Sequence, residues 1–166
     1  MADYQRITHG FGPYYDHGST ILVLGSFPSV KSREQQFFYG HPMNRFWPMM
    51  ALLFGKPVPK SIEEKKAFLE ASHIALYDVI EECDIKNSSD SSIRNVVVSD
   101  LSPILDGSQV RLILLNGRKA GGLFLRYQLP MLKNRVDYAI MPSTSPANAA
   151  ISMDQLLDAW GAQIRI

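Results

Sequence analysis

The sequence has one cysteine, no long apolar run and almost no net charge, and each shortage excludes a class of protein. Cys83 has no partner for an internal disulfide, and no Cys/His spacing is typical of a zinc site. The apolar runs are too short to span a bilayer, and the N-terminus lacks the pattern of a secretory signal. We therefore expect a protein of the reducing cytoplasm with no membrane segment and no metal.

Charge of one sign is also scarce, because 17 Lys and Arg residues oppose 16 Asp and Glu residues and give a net charge of +1. Proteins that hold DNA through non-specific phosphate contacts usually carry a strong basic excess. Charge alone therefore does not indicate a nucleic-acid partner, although a local basic patch is compatible with one. The length predicts a single domain, residues 1–166, with a full hydrophobic core, and we expect a monomer.

Strands alternate with helices along the chain, which predicts a three-layer α/β/α fold with a mostly parallel central sheet. Apolar runs over 20–24, 110–115 and 138–141 indicate strands, the first two buried on both faces. Helices are predicted over 44–54, 118–127 and 152–164. Residues 74–80 are strand-like or mixed, 86–92 form a serine-rich loop, and 96–98 fit either a strand or the approach to a helix.

Each confident strand ends in a loop rich in Gly, Ser, Pro or Asn, over 25–29, 116–117 and 142–148. In open parallel sheets, ligands bind beyond the carboxyl ends of the strands. These three loops are therefore predicted to form the rim of one pocket. Further along the chain, Ser61 and Glu64 have the spacing of a helix capping box.

Two segments are hard to explain as ordinary structure. In Gly25-Ser26-Phe27-Pro28-Ser29 the glycine lets a ligand approach the backbone closely, and the proline stiffens the turn. The second segment is Phe38-Tyr39-Gly40-His41-Pro42-Met43-Asn44-Arg45-Phe46-Trp47, which places a rigid turn and a helix start under Asn44. Each also has a simpler interpretation, as a strand-ending turn and as a helix N-cap.

These segments resemble the first motif region of the uracil-DNA glycosylase superfamily, and they are most similar to the mismatch-specific and thymine-DNA glycosylase branch. There a Gly-x-Asn-Pro-Gly loop is followed by Phe-Ala-His-Pro-x-Asn-Arg-Phe-Trp. The stretch Met141-Pro142-Ser143-Thr144-Ser145-Pro146-Ala147-Asn148 resembles the second motif, which enters the duplex minor groove. Residues 74–80 resemble the segment between the two. The resemblance extends roughly over residues 21–160 and implies a DNA glycosylase.

The first loop departs from that branch at Phe27, where the mismatch-specific enzymes have a water-positioning Asn. No carboxylate or amide replaces it between Gly25 and Ser29. This resembles the hypoxanthine-DNA glycosylase branch, in which catalysis is attributed to the Asn of the His-Pro-x-Asn stretch, here Asn44. The resemblance therefore favours deoxyinosine as the substrate and argues against efficient uracil excision.

The resemblance also implies roles for single residues. Asn44 is the catalytic residue that holds the attacking water, Tyr39 stacks on the flipped base, and Phe27 walls the pocket. Substrate binding is assigned to Gly25, Ser26, Phe27, Pro28, Tyr39, His41 and Asn116. DNA binding is assigned to Ser29, Ser143, Thr144, Ser145, Pro146 and Asn148, of which residues 143–146 grip phosphates and fill the gap left by the base.

The chemistry of the bond sets what such a site must do. A glycosidic bond to a base breaks through an oxocarbenium-like sugar while negative charge builds on the leaving base. An amide side chain is a weak base, but it can hold a water near the anomeric carbon. No lysine stands in a motif where a Schiff-base nucleophile is expected, so we expect a monofunctional enzyme without metal or organic cofactor, acting on duplex DNA with a damaged or mispaired base.

Three alternatives stay open. A uracil or thymine mismatch glycosylase has the same fold, and Phe27 counts against it. A non-catalytic DNA-binding member of the superfamily predicts a degraded Asn44 or Ser-Pro-Ala-Asn loop, and both are intact. A nucleotide-binding α/β domain needs a glycine cluster that opens a helix, and Gly117 with Gly121 and Gly122 is too sparse for one.

Several other residues receive an ordinary structural interpretation. His41 is interpreted as a hydrogen-bonding residue rather than a catalytic acid. Asp78, inside an apolar run, is either a pocket group or a paired structural carboxylate, and the structural interpretation is favoured. The remaining histidines, His9, His17 and His73, are given no role. Trp47 and Trp160 are expected in the core.

Overall fold

The computed structural model describes residues 3–86, 90–133 and 136–164. Its strands are β1 (Gln5–Thr8), β2 (Ile21–Gly25), β3 (Ile74–Asp78), β4 (Ile80–Ile85), β5 (Arg94–Val98), β6 (Leu112–Asn116) and β7 (Asp137–Met141). Its α-helices are α1 (Val30–Gln35), α2 (Phe46–Phe54), α3 (Ile62–Ser72), α4 (Ser102–Asp106), α5 (Arg118–Leu123) and α6 (Met153–Ile164). A π-helical turn (Phe124–Gln128) follows α5, and 3-10 turns occupy Asp90–Ser92 and Leu129–Met131.

Four parallel strands form the central sheet in the order β3-β2-β6-β7. The inner strands β2 and β6 are completely buried over residues 22–24 and 113–115. Runs that are apolar on both faces suit this position, because helices and loops cover both faces of a parallel sheet. The predicted parallel α/β fold and its three strands are confirmed, with strand bounds that shift by one or two residues.

A second sheet, antiparallel in the order β1-β4-β5, is missing from the sequence-based prediction. The apolar run that starts at Ile74 hides two strands, since β3 ends at Asp78 and β4 begins two residues later. Residues 96–98, which fitted either strand or helix, belong to β5. Of the predicted loop over 86–92, residues 87–89 lie outside the described residues.

Helix ends follow the expected capping chemistry. The Ser61 hydroxyl accepts from the Glu64 N–H and the Glu64 carboxylate accepts from the Ser61 N–H, so the capping box is confirmed. Helix α2 begins at Phe46, two residues later than predicted, and Gly55 terminates it in a left-handed conformation with φ 62°. The helix predicted over 118–127 is divided between α5 and the π-helical turn.

The helices pack against the central sheet, α3 on β3, α5 on β6 and β7, and α6 on β7. Trp47 and Trp160 are buried, as expected. In the described part of the chain, no helix has the length and apolar character needed to cross a bilayer. Among the same residues, no group of three His, Cys, Asp or Glu side chains could hold a metal ion.

Candidate active site

A cavity of about 320 Å³ is lined by the loops after β2 and β7, by residues between Phe38 and Asn44, and by Asn116 and Asp78 at the carboxyl ends of β6 and β3. Parallel strands place their carboxyl ends at one edge of the sheet, so residues distant in sequence meet there. The prediction that the three loops meet at one pocket is confirmed. The contribution of β3 comes from Asp78, for which a pocket role was left open but not favoured.

The loop after β2 forms one wall of the cavity. A Cβ at Gly25 would lie 2.5 Å from Oδ1 of Asp78, so glycine leaves the room that this carboxylate occupies. Phe27 lines the cavity and packs on its other side against apolar residues of β4. Ser29 caps α1, since its hydroxyl accepts from the Ser32 N–H. This wall offers the cavity an aromatic ring and no side-chain base.

Tyr39 has a left-handed backbone conformation with φ 55°, which is rare for a residue with a side chain and common at ligand sites. Its ring stacks on that of Phe46, with centroids 4.1 Å apart and planes at 22°. Tyr39 also lines the cavity, so one aromatic residue both packs on the core and contacts the space that a ligand would occupy. Burial and the charge of Asp78 raise the pKa of the Tyr39 hydroxyl, so the phenol keeps its proton at neutral pH.

A chain of hydrogen bonds connects Tyr39 to Asn44. Asn116 Nδ2 donates to Tyr39 Oη (3.2 Å) and to Thr144 Oγ1 (3.0 Å), and Asn116 Oδ1 accepts from the Thr144 N–H (3.0 Å). Thr144 Oγ1 in turn donates to Asn44 Oδ1 (2.8 Å). Thr144 is completely buried, which favours a positioning role over the DNA contact expected for it.

The carboxamide of Asn44 is fixed by two donors. Its Oδ1 accepts from the Phe46 N–H (2.9 Å) as well as from the Thr144 hydroxyl. A backbone N–H can only donate, so this contact settles which end of the amide is the oxygen. Nδ2 of this amide makes no hydrogen bond to another described residue. Asn44 therefore stabilises the start of α2 and also lines the cavity, where it has a donor to offer.

Arg45 anchors the loop after β7 to the start of α2. Its guanidinium donates to the carbonyls of Ile151 (2.6 Å) and Asn148 (3.0 Å), and its N–H donates to the Thr144 carbonyl (3.1 Å). Asn148 also binds the Ser143 carbonyl through Nδ2 (3.0 Å). These contacts give a physical reason why the two motifs, about a hundred residues apart, occur together.

A buried pair lies at the wall that β3 contributes. Nε2 of His9 is 2.7 Å from Oδ2 of Asp78, and the two side chains are 0% and 6% exposed. The rings of Phe11 and Tyr77 lie against the imidazole, with centroids 4.4 and 4.7 Å away. Nδ1 of His9 is buried with no hydrogen-bond partner among the described residues. Asp78 lines the cavity, whereas His9 lies behind it.

Nearly all of the predicted site residues meet in this cavity. Those that line it are Gly25, Ser26, Phe27, Pro28, Ser29, Tyr39, His41, Asn44, Asn116, Ser143, Thr144, Ser145 and Pro146. Asn148 is not among them, because its amide is used to hold the loop together. His41 forms a structural hydrogen bond as interpreted, since its Nδ1 accepts from the Met43 N–H (3.1 Å).

Sequence reasoning assigned no role to His9 and left two interpretations of Asp78 open, a pocket group and a paired structural carboxylate, of which the second was favoured. Both hold in the structure, because Asp78 pairs with His9 and also lines the cavity. Asp78 ends a strand of the parallel sheet, and the other three predicted loops also lie at the ends of such strands. Because residues 74–80 were interpreted only as strand-like or mixed, this strand end was not used to predict the pocket. No comparable signal exists for His9, whose partner is 69 residues away. The other unpredicted lining residues are Ser32, Phe38 and Ala147.

The sequence of the chain matches that of a known family. Residues 12–161 match the sequence profile of the uracil DNA glycosylase superfamily, so the chain belongs to that superfamily. The match covers both motif regions and every residue that lines the cavity.

Two relatives make the comparison more specific. The hypoxanthine DNA glycosylase of Methanosarcina acetivorans is 34% identical over 162 residues, which are 96% of this chain and 99% of that protein. A protein of the same name from Methanosarcina barkeri is 28% identical over 141 residues, 84% of this chain and 87% of that one. A solution NMR structure of a candidate uracil DNA glycosylase from Methanosarcina acetivorans gives a TM-score of 0.79 at 32% identity, covering 94% of this chain and 95% of that one.

Proposed function

We propose that the chain is a monofunctional DNA glycosylase that hydrolyses the bond between deoxyribose and hypoxanthine in DNA. The observation that carries the proposal is the cavity in which Thr144 fixes the amide of Asn44 while the first loop presents Phe27. The hypoxanthine glycosylase names of two relatives that match most of the chain support this substrate.

The flipped base enters the cavity and stacks on the face of Tyr39 opposite to Phe46. Extrusion of a base costs a few kcal/mol, and the cost is lowest for a mispaired base such as hypoxanthine opposite thymine. Phe46 supports the Tyr39 ring from behind, so the stacking surface is in place before the base arrives. Phe27 forms the apolar wall where related enzymes have a polar residue.

Hydrolysis then requires a water beside the anomeric carbon. Nδ2 of Asn44 holds the oxygen of this water, because Oδ1 already accepts two hydrogen bonds. The water adds to the anomeric carbon as the bond to the base nitrogen breaks, and the proton that the water loses ends on the leaving base. An amide does not deprotonate the water, so its contribution is orientation in a partly enclosed site.

The rim of the cavity contacts the DNA. Ser29, Ser143, Ser145 and Pro146 line the cavity, and the loop that carries the last three is anchored by Arg45. Hydroxyls and backbone N–H groups of such loops bind phosphate oxygens and set the register of the protein on the duplex. With a net charge of +1, we expect modest affinity for undamaged DNA.

No lysine lines the cavity in the described part of the chain. An amine nucleophile is needed for the Schiff base of a strand-cleaving lyase. The enzyme therefore uses water as its nucleophile and leaves an abasic site with an intact strand.

The test is base release from duplexes that contain hypoxanthine, uracil or xanthine, with strand cleavage measured before and after alkali. We expect hypoxanthine to be released fastest, and cleavage to appear only after alkali. Uracil released as fast as hypoxanthine would place the protein in the mismatch-specific branch. Release of no base would leave the non-catalytic DNA-binding interpretation.

A further inference from the structure

The His9–Asp78 pair has no part in the mechanism above, although it lies at the cavity wall. Burying a carboxylate and an imidazole together costs desolvation energy, and the pair rarely adds net stability compared with apolar residues. Nδ1 of His9 is buried without a partner, which adds a further cost. A pair of this kind, facing a cavity, is more readily explained by a task there than by stability.

The two oxygens of the Asp78 carboxylate have different neighbours. Oδ2 accepts from Nε2 of His9 at 2.7 Å. Oδ1 lies on the side of Gly25, 2.5 Å from the position that a Cβ on Gly25 would take. Tyr39 Oη lies 3.3 Å from that same Cβ position. The carboxylate is therefore held by His9 on one side and lies close to the hydroxyl end of the Tyr39 ring on the other.

The hydrogen-bond chain connects four residues that line the cavity. It begins at Asn44, where the proposed mechanism places the sugar and water, and passes through Thr144 and Asn116 to Tyr39. Asp78 adjoins the Tyr39 end of this chain, since its Oδ1 and Tyr39 Oη lie 2.5 and 3.3 Å from the position that a Cβ on Gly25 would take. A base stacked on the Tyr39 ring with its sugar at Asn44 would present its far edge to the Tyr39 end of the chain, where Asp78 lies.

Asn116 is less suited to recognise that edge. Both N–H groups of its amide are already used, one by Tyr39 Oη and one by Thr144 Oγ1. Its oxygen already accepts from the Thr144 N–H. Among the described side chains that line this end of the cavity, Asp78 carries the strongest hydrogen-bond acceptor.

Deamination of adenine changes N1 of the base from a hydrogen-bond acceptor to a donor, and an acceptor in the protein can distinguish the two. Adenine has a lone pair on N1, whereas hypoxanthine has an N1–H group next to its new carbonyl. An ionised carboxylate only accepts hydrogen bonds, so it binds the N1–H and repels the N1 lone pair. Xanthine keeps the same N1–H, and so does guanine, whose rejection must come from its 2-amino group.

From this placement we propose that Asp78, oriented by His9, accepts a hydrogen bond from N1–H of the flipped base and thereby separates hypoxanthine from adenine. The inference rests on the proposed function, because it assumes that a base occupies the cavity. It adds a specificity-determining residue, Asp78, and a positioning residue, His9, to the catalytic amide of Asn44.

The test measures binding without catalysis, using duplexes with non-hydrolysable 2′-fluoro nucleotides that carry either hypoxanthine or unsubstituted purine, which has a lone pair on N1. We expect the wild type to bind the hypoxanthine duplex about 10- to 100-fold more tightly, the range of a hydrogen bond to a charged group. In Asp78→Asn, His9 keeps the amide oxygen and turns the NH2 group toward the base. That variant should lose the preference or favour purine.

Glu81→Gln is the matched control. The Glu81 carboxylate also accepts a hydrogen bond from a β3 side chain, the Tyr77 hydroxyl at 2.5 Å, but it does not line the cavity. We expect this variant to keep the wild-type preference.

Two results would overturn the inference. One is a folded Asp78→Asn that keeps the preference for hypoxanthine over purine. The other is a wild type that binds both duplexes equally, which decides the matter even if the variant does not fold. Failure of the proposed function is distinguishable, because the wild type would then release no hypoxanthine and bind its duplex no better than undamaged DNA.

Discussion

Thr144 Oγ1 donates a 2.8 Å hydrogen bond to Oδ1 of Asn44, across a separation of 100 residues. The second motif therefore fixes the amide of the first, and the Phe46 N–H completes that fixation from α2. A catalytic group works best when neighbouring groups hold it in one orientation before the substrate arrives. In the proposed mechanism this contact gives Thr144 a positioning role, which can be tested separately from removal of Asn44.

Thr144→Val removes the hydroxyl and keeps the shape of the side chain. Asn44 then loses one donor and the buried Asn116 loses one acceptor, which costs about 1–3 kcal/mol of stability. We expect single-turnover release of hypoxanthine to fall about tenfold or more, since a loosened catalytic group loses orientation. Thr144→Ser, which keeps the hydroxyl, is the control and should remain close to wild type. Equal rates for the two variants would contradict the positioning role.

Gly25→Ala tests the close approach of the first loop to the carboxylate. The added methyl would lie 2.5 Å from Asp78 Oδ1 and 3.3 Å from Tyr39 Oη, so both groups must shift. We expect release of hypoxanthine to fall by about tenfold or more, because displacements near 1 Å in a site are costly. Gly122→Ala is the control, since nothing lies within 4 Å of its added methyl. If both variants keep full activity, the crowding at Gly25 has no functional meaning.

His9→Phe tests the buried pair by stability. It keeps an aromatic ring but removes the donor that Asp78 needs, and breaking a buried pair from one side costs about 3 kcal/mol or more. Urea unfolding should show this loss, and His9→Phe combined with Asp78→Asn should recover part of it. A double variant less stable than His9→Phe alone would show that the two side chains do not act as a pair.

Arg45→Lys tests the anchor of the second loop. Two carbonyls, of Ile151 and Asn148, accept from the guanidinium, and a single ammonium group does not reproduce that fork. We expect amide hydrogen exchange over residues 143–151 to accelerate and the affinity for DNA to fall. The capping variant Ser61→Ala, which lowers stability by about 1 kcal/mol at a distance from the cavity, should leave exchange in this loop unchanged. Unchanged exchange in Arg45→Lys would contradict the anchoring role.

The parallel sheet was predictable because its inner strands are apolar on both faces over residues 22–24 and 113–115. Such runs are typical of parallel strands that are covered on both sides. The capping box at Ser61 was predictable for a similar reason, since its two partners are three residues apart. The antiparallel sheet was not, because β4 mixes two glutamates and an aspartate with buried Cys83 and Ile85, and its pairing with β1 is long-range. Local pattern gives no information on such pairing.

Most residues of the candidate site were predictable from the sequence, but their long-range contacts were not. Asn44 and Phe27 were predictable because they stand in compact motifs that resemble those of a known family. The hydrogen bonding of Asn44 was not predictable, since Thr144 reaches its Oδ1 from 100 residues away. His9 and Asp78 meet only through the fold, because β1 and the loop after it return to the end of β3.

The most direct test of the central claim is single-turnover release of hypoxanthine from a duplex opposite thymine, by the wild type and by Asn44→Ala. Deletion of one preorganised polar group at a reacting centre typically lowers the rate by about 100- to 1,000-fold, and we expect a loss of that size. Affinity for the duplex, measured in parallel, should change by less than about threefold, because the phosphate contacts lie elsewhere on the rim. A folded Asn44→Ala that releases hypoxanthine at the wild-type rate would contradict the account, since the amide would then take no part in the chemistry.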